Sequence, residues 1–480
     1  MTRYWLTIFL AMVLAGLGGY VYFVELPAER AQTLIEAETQ KILPFEGRDI
    51  TGLTLRSEAG EVVLASGDNR TWQVAAPLST EADSREVESL LRALALGTVT
   101  RVVEEQATAL APFGLERPSV VLTVAAGLRR ETLSLGDSGP ISSTLYAMRA
   151  SDRKILLTDL APKDFFNKTV TTFRKKEVLR LDQSQAERLR LTYPPTEIVL
   201  YRMDEPVEKD HKWKIRSPVE AEADQTAVRT LLLKLQDLTA LGFIDPGPEH
   251  AALTKKLSKP KAKLTVYTSG GDQTVKLFQP DPASGEAYAV TTPDSPIYRV
   301  NPIAIKDLTK ELFALQDKRL LGIDGDEIVR LAVKTRADQY VLINQGAGPR
   351  EGQKNGWVLE DEPHQTLDQQ TVDLFISRVA GLPAELRIVK QAGPLAPYGL
   401  ASPAAEFTAT GKDGRVRGRL VLGTRVGGLV YAIGQGLPGI YQARSDILTQ
   451  TPAKRDLLAK TGRDKAGTPR SGLSPTHSVS

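Results

Sequence analysis

The 480-residue chain contains no cysteine, only four histidines and four methionines, and charges that nearly cancel. Without cysteine there is no disulfide, thiol nucleophile, iron–sulfur cluster or Cys-containing zinc site, so stability must come from packing. The histidines, His211, His250, His364 and His477, neither recur along the chain nor pair at ligand spacing, and no metal site is expected. Lys+Arg 61 against Asp+Glu 58 leaves +3, too small a basic excess for a dedicated nucleic-acid binder. Gly-x-Ser-x-Gly and the P-loop pattern are also missing, and no cofactor is implied. Yet 41% hydrophobic and 25% charged residues make an ordinary folded composition, and the length corresponds to about three domains.

One long apolar run is present. Tyr4 to Val24 carries no charge over 21 residues, about 31 Å as a helix against a hydrocarbon core of roughly 30 Å. A cleaved signal peptide is the competing reading, but Tyr20, Tyr22 and Phe23 close the run like an interfacial belt and no small-residue cleavage pattern follows. A retained anchor over residues 4–24 is therefore expected. Arg3 before the run, against Glu25, Glu29 and Arg30 after it, places the N-terminus in the cytoplasm and the bulk of the chain outside the inner membrane. Ala11, Ala15 and Gly19 form a small-residue face suited to a second membrane helix, although such residues are also common in lipid-exposed spans.

Internal repetition is the strongest signal. Trp72, Trp213 and Trp357 are spaced by 141 and 144 residues, as are Asp83, Asp224 and Asp368. Leu115, Leu257 and Leu400 keep steps of 142 and 143, and so do Pro118, Pro260 and Pro403, and Tyr146, Tyr288 and Tyr431. Such steps suit whole domains rather than solenoid repeats. In the first copy, alternating strands from Ile50 lead through Trp72 to Asp83, which precedes apolar Val87, Leu90, Leu91 and Leu94 at helical spacing. Glu86, three residues after Asp83, completes a capping-box pattern. Further strands follow near 99–103, 120–124, 131–135, 144–148 and 155–157, and a second helix is expected near 159–174, with a counterpart at 306–315.

The fold class expected is α+β: three tandem repeats of a mostly antiparallel sheet with helices on one face, after one N-terminal transmembrane helix. The divisions read from the sequence are the anchor at 4–24, a helical stalk at 28–43, repeat domains at 44–178, 179–320 and 321–460, and a disordered polar tail at 461–480.

The repeated residues are read first as structure. An Asp before an amphipathic run caps a helix, and an aromatic at the same place in every copy packs in a core. The catalytic or metal-binding reading of the aspartates and the sugar-stacking reading of the tryptophans come second, and the repeated tyrosines are judged as the tryptophans are. Gly423-Thr-Arg-Val-Gly-Gly428 reads as a hairpin loop rather than a phosphate cradle. The lysines from Lys255 to Lys263 read as a solvated loop rather than an anion site.

Several of these features together resemble a bacterial family, domain of unknown function forty-three forty. They are the span, Leu43-Pro-Phe-x-x-x-Asp49, Trp72 followed by Pro77 and Asp83, Phe113-Gly-Leu-x-x-Pro118, Leu135-Gly136 and Tyr146. The third copy repeats the signature as Tyr398-Gly-Leu-x-x-Pro403, Leu422-Gly423 and Tyr431, whereas the middle copy has Leu257-Ser-Lys-Pro260 and Leu277-Phe278. The resemblance implies a membrane-anchored extracytoplasmic protein, often encoded beside gliding-motility-type ABC transporter components. The function expected is thus a non-enzymatic scaffold or accessory component of an ABC-type transport complex, with permease or auxiliary subunits as partners. A cell-envelope glycan-binding module and an envelope hydrolase are the rival readings.

Overall fold

In the computed structural model, residues 40–459 are described apart from 44, 46, 68–70, 142, 204–211, 347–355 and 391–392, together with positions 9 and 14. The expected anchor apart from positions 9 and 14, with its Ala11, Ala15 and Gly19 face, most of the stalk, the tail, His211 and His477 lie outside the described residues. Among the described residues no helix is long and apolar enough to cross a membrane.

The first copy begins with β1 (Gly52–Ser57), β2 (Gly60–Ser66), β3 (Trp72–Ala76) and β4 (Thr80–Glu81), then helix α1 (Ser84–Leu96) and β5 (Val99–Glu104). It continues with β6 (Val120–Ala126), β7 (Arg129–Ser138), β8 (Leu145–Arg149) and β9 (Ile155–Thr158), and ends in short α2 (Lys163–Phe166) and α3 (Val170–Phe173). The sheet order is β4-β3-β2-β1-β6-β7-β8-β9-β5, so the strand after the helix crosses to the far edge. Neighbours pair antiparallel, as in Leu53 opposite Leu64 and Val124. Burial alternates along β1 and β6, which puts one face of the sheet inward. Val87, Leu90, Leu91 and Leu94 of α1 join that face in one core. Ile42 and Leu43, at the end of the stretch read as a stalk, are buried in the same core.

The middle copy repeats this plan with β10 (Ala186–Tyr193), β11 (Thr196–Met203), β12 (Lys212–Ser217), β13 (Ala221–Glu222), α4 (Gln225–Gln236) and β14 (Ala240–Ile244). After α5 (Pro248–Lys256) come β15 (Ala262–Thr268), β16 (Gly271–Phe278), β17 (Ala287–Val290), β18 (Ile297–Val300), α6 (Ile303–Leu308) and α7 (Leu312–Leu315). Its order, β13-β12-β11-β10-β15-β16-β17-β18-β14, matches the first strand for strand. The third copy has β19 (Ile328–Thr335), β20 (Gln339–Asn344), β21 (Trp357–Leu359), α8 (Gln369–Ala380) and β22 (Leu386–Val389). It closes with β23 (Ala405–Gly411), β24 (Val416–Val426), β25 (Leu429–Gly434), β26 (Leu437–Arg444) and α9 (Asp446–Gln450), in the order β21-β20-β19-β23-β24-β25-β26-β22. The described residues thus form three antiparallel sheets of one strand order, each with few helices, the third without a counterpart of β4 and β13.

Three expectations are corrected. The second helix of the first copy is two single turns, broken at Asn167–Thr169, and its counterpart breaks at Thr309–Glu311. Asn167 (φ −81°, ψ 67°) and Thr169 (φ −84°, ψ 165°) leave helical geometry, Asn167 Oδ1 accepting from the Ala59 N–H at 3.0 Å, while the two turns still bury Phe166 and Phe173 completely. Lys255 and Lys256 lie in the last turn of α5 rather than in a loop, where cations complement the helix C-terminus. Gly423 to Val426 belongs to β24, and only Gly427 and Gly428 make the turn into β25.

By Cα proximity the described residues gather into two compact units. One holds those up to Asp182 with Lys234–Thr265 and Asp272–Leu308; the other holds Gln183–Leu233, Val266–Gly271 and those from Thr309 onward. The first sheet falls in one unit and the third in the other, while the segments of the middle copy are divided between them. The third core gathers Val372, Phe375, Ile376 and Val379 of α8 with Trp357, Phe407 and Tyr441.

Candidate functional site

The three repeated aspartates do two jobs at once. Side-chain oxygens of Asp83, Asp224 and Asp368 accept from the backbone N–H of Arg85 (3.1 Å), Ala227 (3.0 Å) and Thr371 (3.4 Å), which caps α1, α4 and α8. Their own N–H groups donate to the carbonyls of Phe173, Leu315 and Leu457, at 2.7, 2.8 and 2.8 Å, and so pin the last core residue of each copy. This second bond explains why no capping box forms in the first copy. The Asp83 N–H is already committed, and Glu86 instead takes the Lys168 ammonium at 2.9 Å.

Trp72, Trp213 and Trp357 are 6%, 8% and 4% exposed. Their indoles are packed into the cores and present no open face for stacking on a sugar. Sequence reasoning missed the groups that hold the last two. Gln225 and Gln369, each one residue after a repeated Asp, accept from the tryptophan's backbone N–H at 2.8 and 2.7 Å and donate to its carbonyl at 3.0 Å in both copies. The signal was the Asp-Gln pair present in copies two and three; the first copy has Ser84 there.

Leu115, Leu257 and Leu400 are buried, and Pro118, Pro260 and Pro403 are half-buried beside them. In copies one and three the signature folds as a 3₁₀ turn ended by Gly114 and Gly399 at φ 67° and 70°. Phe113 then meets Tyr146 edge-on with ring centroids 5.0 Å apart, and Tyr398 meets Tyr431 at 5.1 Å. The middle copy solves the same packing differently. Helix α5 replaces the turn, Phe278 stands where Gly136 and Gly423 do, and both Phe278 and Tyr288 enter a small core with Leu257, Ile244 and Ile297.

The segments joining the copies are bonded on both sides. Lys175 N–H donates to Glu81 O, and Ala240 N–H to Lys176 O; in the next junction Asp317 N–H donates to Glu222 O, and Ala384 N–H to Lys318 O. At the first junction Arg174 is 6% exposed, puts Nη1 at 2.9 Å from both Asp245 oxygens, and lies 3.7 Å above the Phe243 ring. At the second, Arg319 holds Asp317 and Asp324, and Lys318 lies 3.5 Å from Asp224.

The second unit contains a cavity of about 920 Å³ lined by Tyr193, Ile198, Leu312, Arg387 and Tyr441 among others. Burial pushes the Tyr193 hydroxyl up to about 12, against a lowering by the Lys310 N–H that donates to it. Burial also raises Tyr441, opposed by the neighbouring Arg387 guanidinium, and the Tyr441 hydroxyl donates to Pro438 O at 2.9 Å. His250 lies 3.3 Å from Ser295 O and His364 is exposed. Among the described residues no cluster of three or more His, Asp or Glu could hold a metal ion.

A family model described as Domain of unknown function (DUF4340) matches residues 72–255, 213–355 and 357–462, each match starting at one of the repeated tryptophans. No curated protein matches the chain significantly.

Proposed function

The chain belongs to the DUF4340 family, and from that premise we propose a non-enzymatic, membrane-anchored extracytoplasmic scaffold that serves as an accessory component of an ABC-type transport complex. One observation carries this reading: the positions common to the three copies go to helix caps, cores and ring contacts rather than to an open set of reactive groups. A protein built this way offers the same folded unit three times along one chain, which is what a bridging subunit needs. The transporter partner comes from the association that the family resemblance implies. Burial of the three indoles withholds the aromatic surface that a glycan module would use.

The test is capture of the full chain through a tag after Ser480 from mildly solubilised native membranes, beside a variant whose residues 4–24 are replaced by an unrelated span. Enrichment of permease or ATPase subunits is the expected result, and their loss with the swapped span would place the contact on the Ala11, Ala15 and Gly19 face. If neither sample enriches a transporter subunit, the scaffold reading fails.

A further inference from the structure

The cavity of the second unit is used neither by the repeat framework nor by the scaffold role. Its volume, about 920 Å³, lies within the range of small-molecule sites. Pro195, Ile198, Val219, Leu312 and Pro438 give it an apolar lining, and Val219 is 46% exposed.

Three cations share this lining, Lys310, Arg387 and Lys390, and among the described residues none of them holds a carboxylate. Elsewhere in the same unit Lys318, Arg319 and Arg330 are each paired with one. Arg387 is half-buried, 5.5 Å from the Phe313 ring centroid and beside the Tyr441 oxygen. A guanidinium carries five N–H donors in a planar fork, so Arg387 keeps donors for the two oxygens of a carboxylate or phosphodiester head. Glu197 and Glu311 also line the cavity and are exposed. Three cations against two carboxylates leave a single positive charge, which suits a head of one negative charge and disfavours a dianion.

We propose that this cavity binds a monoanionic amphiphile, its head on Arg387 and Lys390 and its chain against Val219, Leu312 and the prolines. The head could be supplied by a free fatty acid or by a lipid phosphodiester, which share this chemistry.

The experiment uses the full chain in nanodiscs of zwitterionic phosphatidylcholine, photolabelled with a diazirine-bearing octanoate analogue and mapped by peptide mass spectrometry. Label is expected in the peptides containing Val219 and Leu312. Unlabelled octanoate or dihexanoyl phosphatidylglycerol should displace it, the stronger competitor identifying the head, and octyltrimethylammonium should not. Arg387→Gln should reduce labelling about tenfold, the loss of one charge-assisted hydrogen bond. Lys390→Gln, at an exposed residue with no ion pair among the described residues, should reduce it several-fold and decides the matter if Arg387→Gln fails to fold. Label confined to other peptides, labelling unchanged in Lys390→Gln, or equal competition by the ammonium amphiphile would overturn the proposal. Because the readout is binding itself, its failure is separate from failure of the scaffold role.

Discussion

A Cβ built on Gly136 would stand 2.1 Å from the Phe113 carbonyl oxygen, and one on Gly423 would stand 2.2 Å from that of Tyr398. Backbone cannot swing aside as a side-chain tip can. Gly136→Ala and Gly423→Ala are therefore expected to cost about 1–3 kcal/mol each, as overpacking does. Gly428→Ala, with nothing within 4 Å of its Cβ, should stay within about 0.5 kcal/mol. Urea midpoints of the three variants check this, and equal midpoints would mean that the turns yield. Two tyrosines set a pH response. Burial raises Tyr193 to about 12 and raises Tyr340 as well, with Asp338 and Asp456 adding to the latter. A folded-state pKa above the unfolded value gives stability that is complete below about pH 10 and lost as pH climbs through the folded value. Tyr340→Phe should accordingly flatten the fall of Tm on the alkaline side, and phenolate absorbance should show the wild-type hydroxyl titrating only as the fold is lost.

At the scale of the element, the helix start is the busiest point of each copy. Asp368 caps α8 and pins Leu457, while Gln369 closes both backbone bonds of Trp357. Gln369→Ala leaves a buried-strand donor and acceptor unmet and should cost about 1–3 kcal/mol, with faster hydrogen exchange at the Trp357 amide. Ser84→Ala, at the equivalent exposed position that makes no such clamp, should change stability by less than about 0.5 kcal/mol. Similar losses from both variants would remove the clamp as the cause.

For the molecule as a whole, the first junction depends on Arg174. Asp245→Ala would strand a guanidinium that is 6% exposed, yet the Asp245 carboxylate is 42% exposed, so its contribution is discounted for solvent. A loss of about 1–3 kcal/mol is expected, below that of a fully buried pair. The double variant Arg174→Met with Asp245→Ala should recover part of it, because an apolar side chain in that site needs no counter-charge. A double variant less stable than Asp245→Ala alone would instead show that the stacking of Arg174 on Phe243 dominates.

The three-copy plan was legible in the sequence because Trp, Asp, Leu, Pro and Tyr recur at steps of 141 to 144 residues, and the elements of a copy because burial is periodic: alternation along β1 and β6, and the 87, 90, 91, 94 spacing in α1, follow from which side chains water rejects. The helix caps were legible for the same local reason, an Asp oxygen within reach of the N–H groups that follow it. Non-local partners were not. Nothing near Asp83 in sequence announces that its N–H goes to Phe173 rather than to Glu86, nor that Arg174 finds Asp245 and Phe243. The cavity around Arg387 likewise exists only because segments near 193–198, 218–219, 309–316, 387–390 and 438–441 are brought together. Local chemistry, acting over one helical turn or one strand pair, was set by the sequence alone. Which distant backbone groups, charges and apolar side chains meet was decided by the sheet order, since a crossover strand and a closing segment place residues side by side that the chain separates by as many as 100 positions or more.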